Sequence, residues 1–376
     1  MLNESPSRAK YPISAPYPSS SVSHVYAAIS RELHDEPQLP RAIGQTAAGV
    51  PRSPFTSGRP SFKARVARPP RARESGSAMP ELPDVEMTRC DLKRWLVGAI
   101  ATAADTKDAR LSRPASPRAF AHALVGRTFE RVERRGKWLR LDLDDGGKVF
   151  SHLGMTGGWV RVAISAPVVR FERARIDVVL RSRSFSMRYV DARRFGRLLP
   201  VREDIADWTA LGPDPLADGI DVGRLSEALA KGPRAVKKIV MDQRVIAGVG
   251  NILATEGLWI ARIDPRSPGN ALLLPADARA VARGIRRAIA RELADRKRYS
   301  DGRADSFFVY GRAGQPCPRC RTRLSGVVLG GRTTVFCHGC QVRRRWRREG
   351  RDRIKSTQAN RGGQDEHHRQ RAESKP

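Results

Sequence analysis

The chain has 376 residues, with 70 Lys+Arg against 39 Asp+Glu and a formal net charge of +31 at pH 7. The length allows two domains with tails, and a hydrophobic fraction of 40% is enough for a real core. No stretch approaches 18 consecutive apolar residues, which excludes a membrane span, and five cysteines, four of them crowded into 317–340, are too few and too clustered for a disulfide framework.

Residues 1–78 carry 11 of the 26 prolines, many serines and few large apolar side chains, with a net charge of +6. Such a stretch cannot bury enough surface to offset its ordering entropy, so the composition predicts a disordered leader. It reads either as a targeting peptide or as sequence upstream of a mis-assigned start, with Met79 the true initiator. A first helix is expected over Asp84–Val97, where Val85, Leu92, Trp95 and Leu96 recur near helical spacing. Prolines at 80 and 83 stop it extending backward, and Cys90 on it is expected in the core. From 127 to 201 the period changes to two, with Leu139, Leu141 and Leu143 alternating with Trp138, Arg140 and Asp142. Asp145-Gly146-Gly147 then supplies a hairpin turn. Further strands are predicted at Ile176–Leu180, Met187–Val190 and Arg197–Val201, an antiparallel sandwich pattern behind one helix. Helical spacing returns at Arg224–Leu229, Arg234–Asp242, Asn251–Ile260 and Ala276–Asp295. Short strands surround the cysteines, and residues 341–376, net +7 and almost without apolar residues after Trp346, read as a second disordered tail.

The expected fold class is therefore α+β. It comprises a leader over 1–78, a β-sandwich domain over 79–201, a helical domain over 202–305, a metal module over 306–340 and a basic tail over 341–376. Removing the tails' +6 and +7 still leaves +18 on 79–340, so the folded part is itself basic. That charge calls for a polyanionic partner, most economically nucleic acid.

Cys317-Pro318-Arg319-Cys320 and Cys337-His338-Gly339-Cys340 are two CxxC pairs separated by 16 residues. The spacing puts four thiolates at the corners of a tetrahedron, which suits one structural Zn²⁺. The intervening residues fit a β-hairpin with its tip near Val327–Gly331, and Arg332 lies on the returning strand. Four closed ligands leave no open position for catalysis.

Five strings carry more than this. They are Met79-Pro80-Glu81-Leu82-Pro83-Asp84-Val85-Glu86, Arg135-Gly136-Lys137 opening a strand, His152-Leu153-Gly154-Met155, Asp191-Ala192-Arg193-Arg194-Phe195-Gly196, and Ala247-Gly248-Val249-Gly250-Asn251-Ile252. In this order, and followed by the ribbon, they resemble the formamidopyrimidine-DNA glycosylase family over about 79–340. The resemblance implies a bifunctional base-excision repair enzyme. Such an enzyme removes formamidopyrimidines and 8-oxoguanine from duplex DNA and nicks the strand by β,δ-elimination. No oligomerisation signal is present and one lesion needs only one active site, so a monomer is expected; the expected location is the bacterial cytoplasm, associated with the nucleoid.

The family's nucleophile, an N-terminal proline nitrogen, matches Pro80 once Met79 is gone. A free α-amine titrates near pH 8 (about 7.7–8.0), so part of it is unprotonated at neutral pH and can attack C1′ to form an iminium. Glu81 matches the general acid–base and Lys137 the cation at the reacting centre. His152, Asn251 and Arg332 match phosphate contacts, with Asn251 opening a helix after a Gly-rich turn, in a helix–two-turn–helix with Arg234–Asp242. Met155, Arg193 and Phe195 match the side chains that fill the gap left by a flipped base. Asp84 and Glu86 read as structural.

Two features depart from the family. As written, the Pro80 nitrogen is a tertiary amide and cannot form an iminium, so the leader must be untranslated or removed. The segment Arg296–Tyr310 is short for a loop that folds over 8-oxoguanine, which favours ring-opened lesions. Rival readings are an endonuclease VIII-like enzyme for oxidised pyrimidines, a non-catalytic damaged-DNA binder with the leader retained, and a zinc-ribbon RNA binder.

Overall fold

The computed structural model describes residues 80–272, 274–294 and 307–345. The expected leader, the tail beyond 345 and most of the 296–310 segment lie outside the described residues.

Helix α1 spans Leu82–Leu96. Pro83 is tolerated in its first turn, where no backbone donor is needed, and the Asp84 carboxylate accepts the Glu81 N–H at 3.0 Å to close the start. Val85, Leu92 and Leu96 are buried on one face. Cys90 is only half-buried, because it lies over the polar Glu86–Arg89 pair and not on that apolar stripe. Strand β1 (Ile100–Thr106), helices α2 (Ala109–Ser112) and α3 (Pro117–Leu124), and strands β2 (Phe129–Arg135), β3 (Trp138–Leu143), β4 (Lys148–His152), β5 (Gly157–Val162), β6 (Glu172–Leu180), β7 (Arg183–Asp191) and β8 (Arg197–Val201) follow.

Two four-stranded antiparallel sheets form, in the orders β1-β6-β7-β5 and β2-β3-β4-β8. Their inner faces meet over Leu139, Leu141, Ile176, Val178 and Met187, with α1 completing the core. The opposite face of β3 and β4 is also covered, since Trp138 and Phe150 pack with Leu199 and Trp208. Trp208 comes from a short helix, α4 (Ala206–Thr209).

The second half is helical. It contains α5 (Val222–Ala230), α6 (Val236–Val240), α7 (Asn251–Ile260) and α8 (Pro275–Ala294), around Leu229, Val240, Leu253, Leu258, Val281 and Ile285. A Cβ on Gly284 would lie 2.2 Å from the Gly257 carbonyl oxygen, so glycine at this point lets α7 and α8 approach closely. Helix α6 is shorter than the 234–242 expectation. Arg234 is spent on the Lys238 carbonyl and Asp242, and the Asp242 side chain instead accepts the Arg244 N–H to make a turn. Strands β9 (Ser325–Leu329) and β10 (Arg332–Phe336) form the hairpin, with Gly330-Gly331 at its tip.

One buried ion cluster ties the halves together. Arg134 on β2 donates to Glu86 on α1 at 2.7 Å and to both oxygens of Asp214, in the chain leading to the helical half, at 2.5 and 2.9 Å. Asp214 also accepts the Gly136 N–H at 2.7 Å. Burial alone would raise both carboxyls, but the Arg134 guanidinium, with Arg89 at Glu86, outweighs it and holds both below their ordinary values. Removing one partner strands the others without compensation. Arg134→Met is expected to cost about 3–5 kcal/mol in a urea unfolding titration; a loss under about 1 kcal/mol would mean that the cluster is stabilised by other groups.

Candidate active site and DNA-binding surface

The turn between β2 and β3 is the two residues Gly136-Lys137, so Lys137 lies at the tip of a hairpin and not on a strand as expected. Gly136 has φ +57°, and a Cβ there would lie 3.1 Å from the Gly248 nitrogen. The hairpin tip therefore sits against the Gly-rich loop before α7. The chain start meets the same loop from another side, where the Leu82 N–H donates to the Gly248 carbonyl at 3.2 Å.

Pro80 is buried immediately before Glu81. The Glu81 carboxylate accepts three backbone N–H groups at the start of α7: Gly250 at 3.1 Å, Ile252 at 2.8 Å and Leu253 at 3.0 Å. These are donors that a helix N-terminus leaves unpaired. Lys137 lies beside them. A Cβ on Gly250 would sit 2.3 Å from Glu81 Oε1 and 2.4 Å from Lys137 Nζ, so only glycine leaves room for both. Burial first, and then the Arg332 charge, push the Lys137 ammonium below its usual range against the pull of Glu81.

A cation outside every quoted motif stands next to these. Lys237 of α6 is fully buried and donates to Asn251 Oδ1 and Thr334 Oγ1, both at 2.6 Å. Burial lowers its pKa to about 8, with Arg332 adding to the effect. Lys238 alongside has the same side chain, so only the helix face distinguishes them. Asn251 Nδ2 donates to the Thr333 carbonyl at 3.2 Å, which joins α7 to the zinc-ribbon hairpin and fixes Arg332, exposed at the head of β10. Glu256 on α7 was also missed. Its buried carboxylate accepts the N–H groups of Phe308, Val309 and Tyr310, each at 2.8 Å, and so fixes Tyr310 near Asn251 and Glu81.

The remaining expected residues form a second cluster. A Cβ on Gly154 would meet the Phe195 carbonyl carbon at 2.5 Å, so the turn carrying Met155 lies against the turn carrying Arg193 and Phe195. Asp191 braces them by accepting from the Thr156 hydroxyl, the Arg193 N–H and the Gly196 N–H. Phe195 is 56% exposed, with Arg193 5.3 Å over its ring, and Met155 is half-buried. Core packing would hide an aromatic ring of this size; here it projects outward.

His152 ends β4 against the Trp138 ring. Its Nδ1 accepts the Gly154 N–H at 3.0 Å, which leaves Nε2 as the donor. Burial, with Lys137 and Arg197 nearby, lowers its pKa to about 4, so the ring is neutral at pH 7.

In the ribbon, the four Sγ atoms of Cys317, Cys320, Cys337 and Cys340 all lie within 4.8 Å of one another. The Cys317–Cys340 and Cys320–Cys337 separations are 3.8 and 3.4 Å. Four sulfurs at about 2.3 Å from one tetrahedral ion stand about 3.8 Å apart, so this set fits one structural Zn²⁺. No helix among the described residues is long and apolar enough to cross a membrane.

A sandwich, a short helix pair with its Gly-rich turn and a zinc ribbon, all turned on one cationic centre, define a DNA-binding protein of the helix–two-turn–helix class. Family comparisons agree along the chain. Residues 79–198 match the formamidopyrimidine-DNA glycosylase N-terminal domain, 211–300 the H2TH domain of the same enzymes, and 314–342 the zinc finger found in FPG and IleRS. The chain is 36% identical over 276 residues to a formamidopyrimidine-DNA glycosylase of Chloroflexus aurantiacus, covering 70% of this chain and 98% of the relative. It is 38% identical over 277 residues to that of Pseudomonas entomophila, with 70% and 100% covered. Among solved structures, a Lactococcus lactis Fpg in complex with abasic-site DNA matches with a TM-score of 0.63 at 25% identity, over 70% of this chain and all of that one. A complex of the same enzyme with FAPY-dG DNA matches with a TM-score of 0.62 at 26% identity, over 69% and 99%. The protein belongs to the formamidopyrimidine-DNA glycosylase family, and is thus a DNA repair glycosylase with a structural zinc site.

Two outcomes follow from the geometry. Gly250→Ala displaces Glu81 and Lys137 together and is expected to lower base excision by about a hundredfold, since a shift near 1 Å has that effect in a positioned site; an unchanged single-turnover rate would mean that neither side chain must hold its place. For His152 the folded pKa is depressed below the usual 6.5. Its contribution to stability is therefore present above pH 6.5 and is lost as pH falls from there towards 4. The melting temperature of His152→Gln should fall less steeply than the parent's across that window.

Proposed function

We propose that this protein excises oxidised purines, formamidopyrimidines and 8-oxoguanine, from duplex DNA and then cuts the strand at the abasic site through a Pro80 iminium. The observation that carries this reading is the convergence of Pro80-Glu81, Lys137, Asn251, Lys237 and Arg332 on the start of α7. Three cations crowded together repel one another, and a phosphodiester between them offsets that repulsion. The first turn of α7 adds the positive end of a helix.

In this mechanism the lone pair of the Pro80 secondary amine forms a bond to C1′ and the glycosidic bond breaks, the electron pair leaving with the base, which takes up the proton that the amine gives up on bonding. Glu81 protonates O4′ as the sugar ring opens, giving the iminium. Loss of a C2′ proton to a base then expels the 3′ phosphate, and a second elimination expels the 5′ phosphate. Lys137, Asn251, Arg332 and neutral His152 hold the phosphates on either side. Met155, Phe195 and Arg193 occupy the space of the flipped nucleotide, with Arg193 meeting the orphaned partner base.

The amine must be free, so the active form begins at Pro80. Borohydride should trap a covalent adduct between that form and abasic DNA, and the intact mass of the active native protein should start at Pro80. Active protein that retains residues 1–78 would remove Pro80 from the chemistry. Glu81→Gln should bind lesion DNA within a fewfold of the parent yet lose about 10²–10⁴ in excision. Near-normal excision by that variant would assign the proton transfer elsewhere.

A further inference from the structure

Helix α8 takes no part in the site just described, yet it carries a strong charge pattern. Arg279, Arg283 and Arg286 are exposed and recur at steps of four and three, so they share one face over two turns, about 10 Å long. The two acids of the helix, Asp277 and Glu292, are both buried. Asp277 is already taken by Arg344 at 2.9 Å. No acidic side chain among the described residues forms an ion pair with Arg279 or Arg283.

The Asp277–Arg344 contact is informative for a second reason. It brings the chain leaving the zinc ribbon to the first turn of α8. Val342 pairs with Ile263, and the Arg344 N–H donates to Ser267 Oγ at 3.0 Å. Arg343, Arg344 and Arg345 are all exposed there. That chain is therefore held on the Asp277–Val281 side of α8, and its arginines are separate from the Arg279–Arg286 face.

This surface points away from the lesion site. The buried side of α8, with Val281, Gly284 and Ile285, packs on α7, whose first turn holds Glu81 and Asn251. The exposed arginines are on the opposite side. A duplex seated at the start of α7 does not lie along them.

We propose that the arginine face of α8 is a second DNA-binding surface that takes the phosphate backbone of another duplex segment while the first site is occupied. The partner is nucleic acid because the face repeats guanidiniums at helical spacing, which suits repeated phosphates and carries no sequence information. Such a surface lets the enzyme hold one segment while sampling another. The proposal rests on the DNA-binding part of the reading above and not on its excision chemistry.

The test uses the full chain saturated with a short unlabelled duplex bearing a tetrahydrofuran abasic analogue; labelled analogue duplex first establishes that the lesion site is filled. A labelled plain duplex is then added and its binding followed by anisotropy at several salt concentrations. The saturated parent should bind this second duplex. The Arg279→Glu/Arg283→Glu/Arg286→Glu variant should bind it at least tenfold more weakly, with the salt slope flattened by about two to three units. Its single-turnover excision on saturating lesion DNA should equal the parent's, which also reports that it is folded. The corresponding triple lysine variant should bind within about twofold of the parent, because the charge is kept. A saturated parent that binds no second duplex overturns the proposal. So does a glutamate variant that binds it like the parent, since the tails would then account for the affinity. Failure to bind the abasic analogue in the first step would instead count against the lesion site itself.

Discussion

The contact between the Glu81 carboxylate and the first turn of α7 organises the molecule. It joins the residue that opens the sandwich domain to the second helix of the DNA-binding pair, which begins 170 positions later in the chain. Three N–H groups that a helix end would leave to water are satisfied by a side chain from another domain. The same contact fixes the carboxylate within reach of the residue before it and of Lys137. Structural cap and proposed proton carrier are therefore one group. That economy restricts the loop: Gly248 must admit Leu82, whose side chain would lie 2.7 Å from a Cβ, and Gly250 must admit Glu81 and Lys137. The glycines are there for what approaches them more than for their own flexibility.

How much of this was legible depends on where the determining partner sits in the chain. The first helix, the Leu139–Leu143 alternation, the ribbon hairpin and its four cysteines announce themselves locally, by periodicity or spacing, and the structure has them. Strands β1 and β5 escape the period-two reading because alanines and glycines replace the large apolar residues in them, and α2 and α4 are single turns too short to show a period. Arg135-Gly136-Lys137 reads as the opening of a strand because the Leu139–Leu143 alternation follows it directly. The positive φ of Gly136 instead turns the chain, and Lys137 completes the turn before β3 begins at Trp138. Of the site, the motif residues were readable through their resemblance to a family. Lys237, Glu256 and the Arg134–Asp214 pair were not. Each acquires its role from a partner 53 or more positions away.

The apolar residues near the DNA-facing surface show the same division. Leu153 and Phe195 are both large and apolar, and composition treats them alike. In the structure Leu153 is in the core and Phe195 stands out into solvent. The difference comes from Gly154 and Gly196, which bring two turns together, and from the Tyr189 hydroxyl, which donates to the His152 carbonyl at 2.9 Å in the gap between them. A Cβ on Gly196 would be in collision with that hydroxyl. With no room to fold inward, the Phe195 ring is presented outward together with Arg193.

Charge in this protein is handled in two opposite ways, and the contrast separates what holds the fold from what awaits a partner. Arg134 and Arg188 are almost fully buried, and each is matched by a carboxylate at hydrogen-bond distance: Arg134 by Glu86 and Asp214, Arg188 by Glu172. Those ions are compensated inside the molecule, and the carboxyls beside Arg134 are held ionised by it. Lys237 is hidden as well and Lys137 is half-buried, but their ammonium groups are pushed down, because burial is answered only in part by Glu81 and is made worse by Arg332. A structure selected for stability alone would not bring three cations to one carboxylate. The uncompensated charge has a physical use only when something anionic arrives, and a phosphodiester then removes the penalty that the free protein carries. The strain at this centre and the affinity for a nucleic-acid backbone are two sides of one arrangement, which is why the least comfortable cations in the fold lie beside its proposed nucleophile.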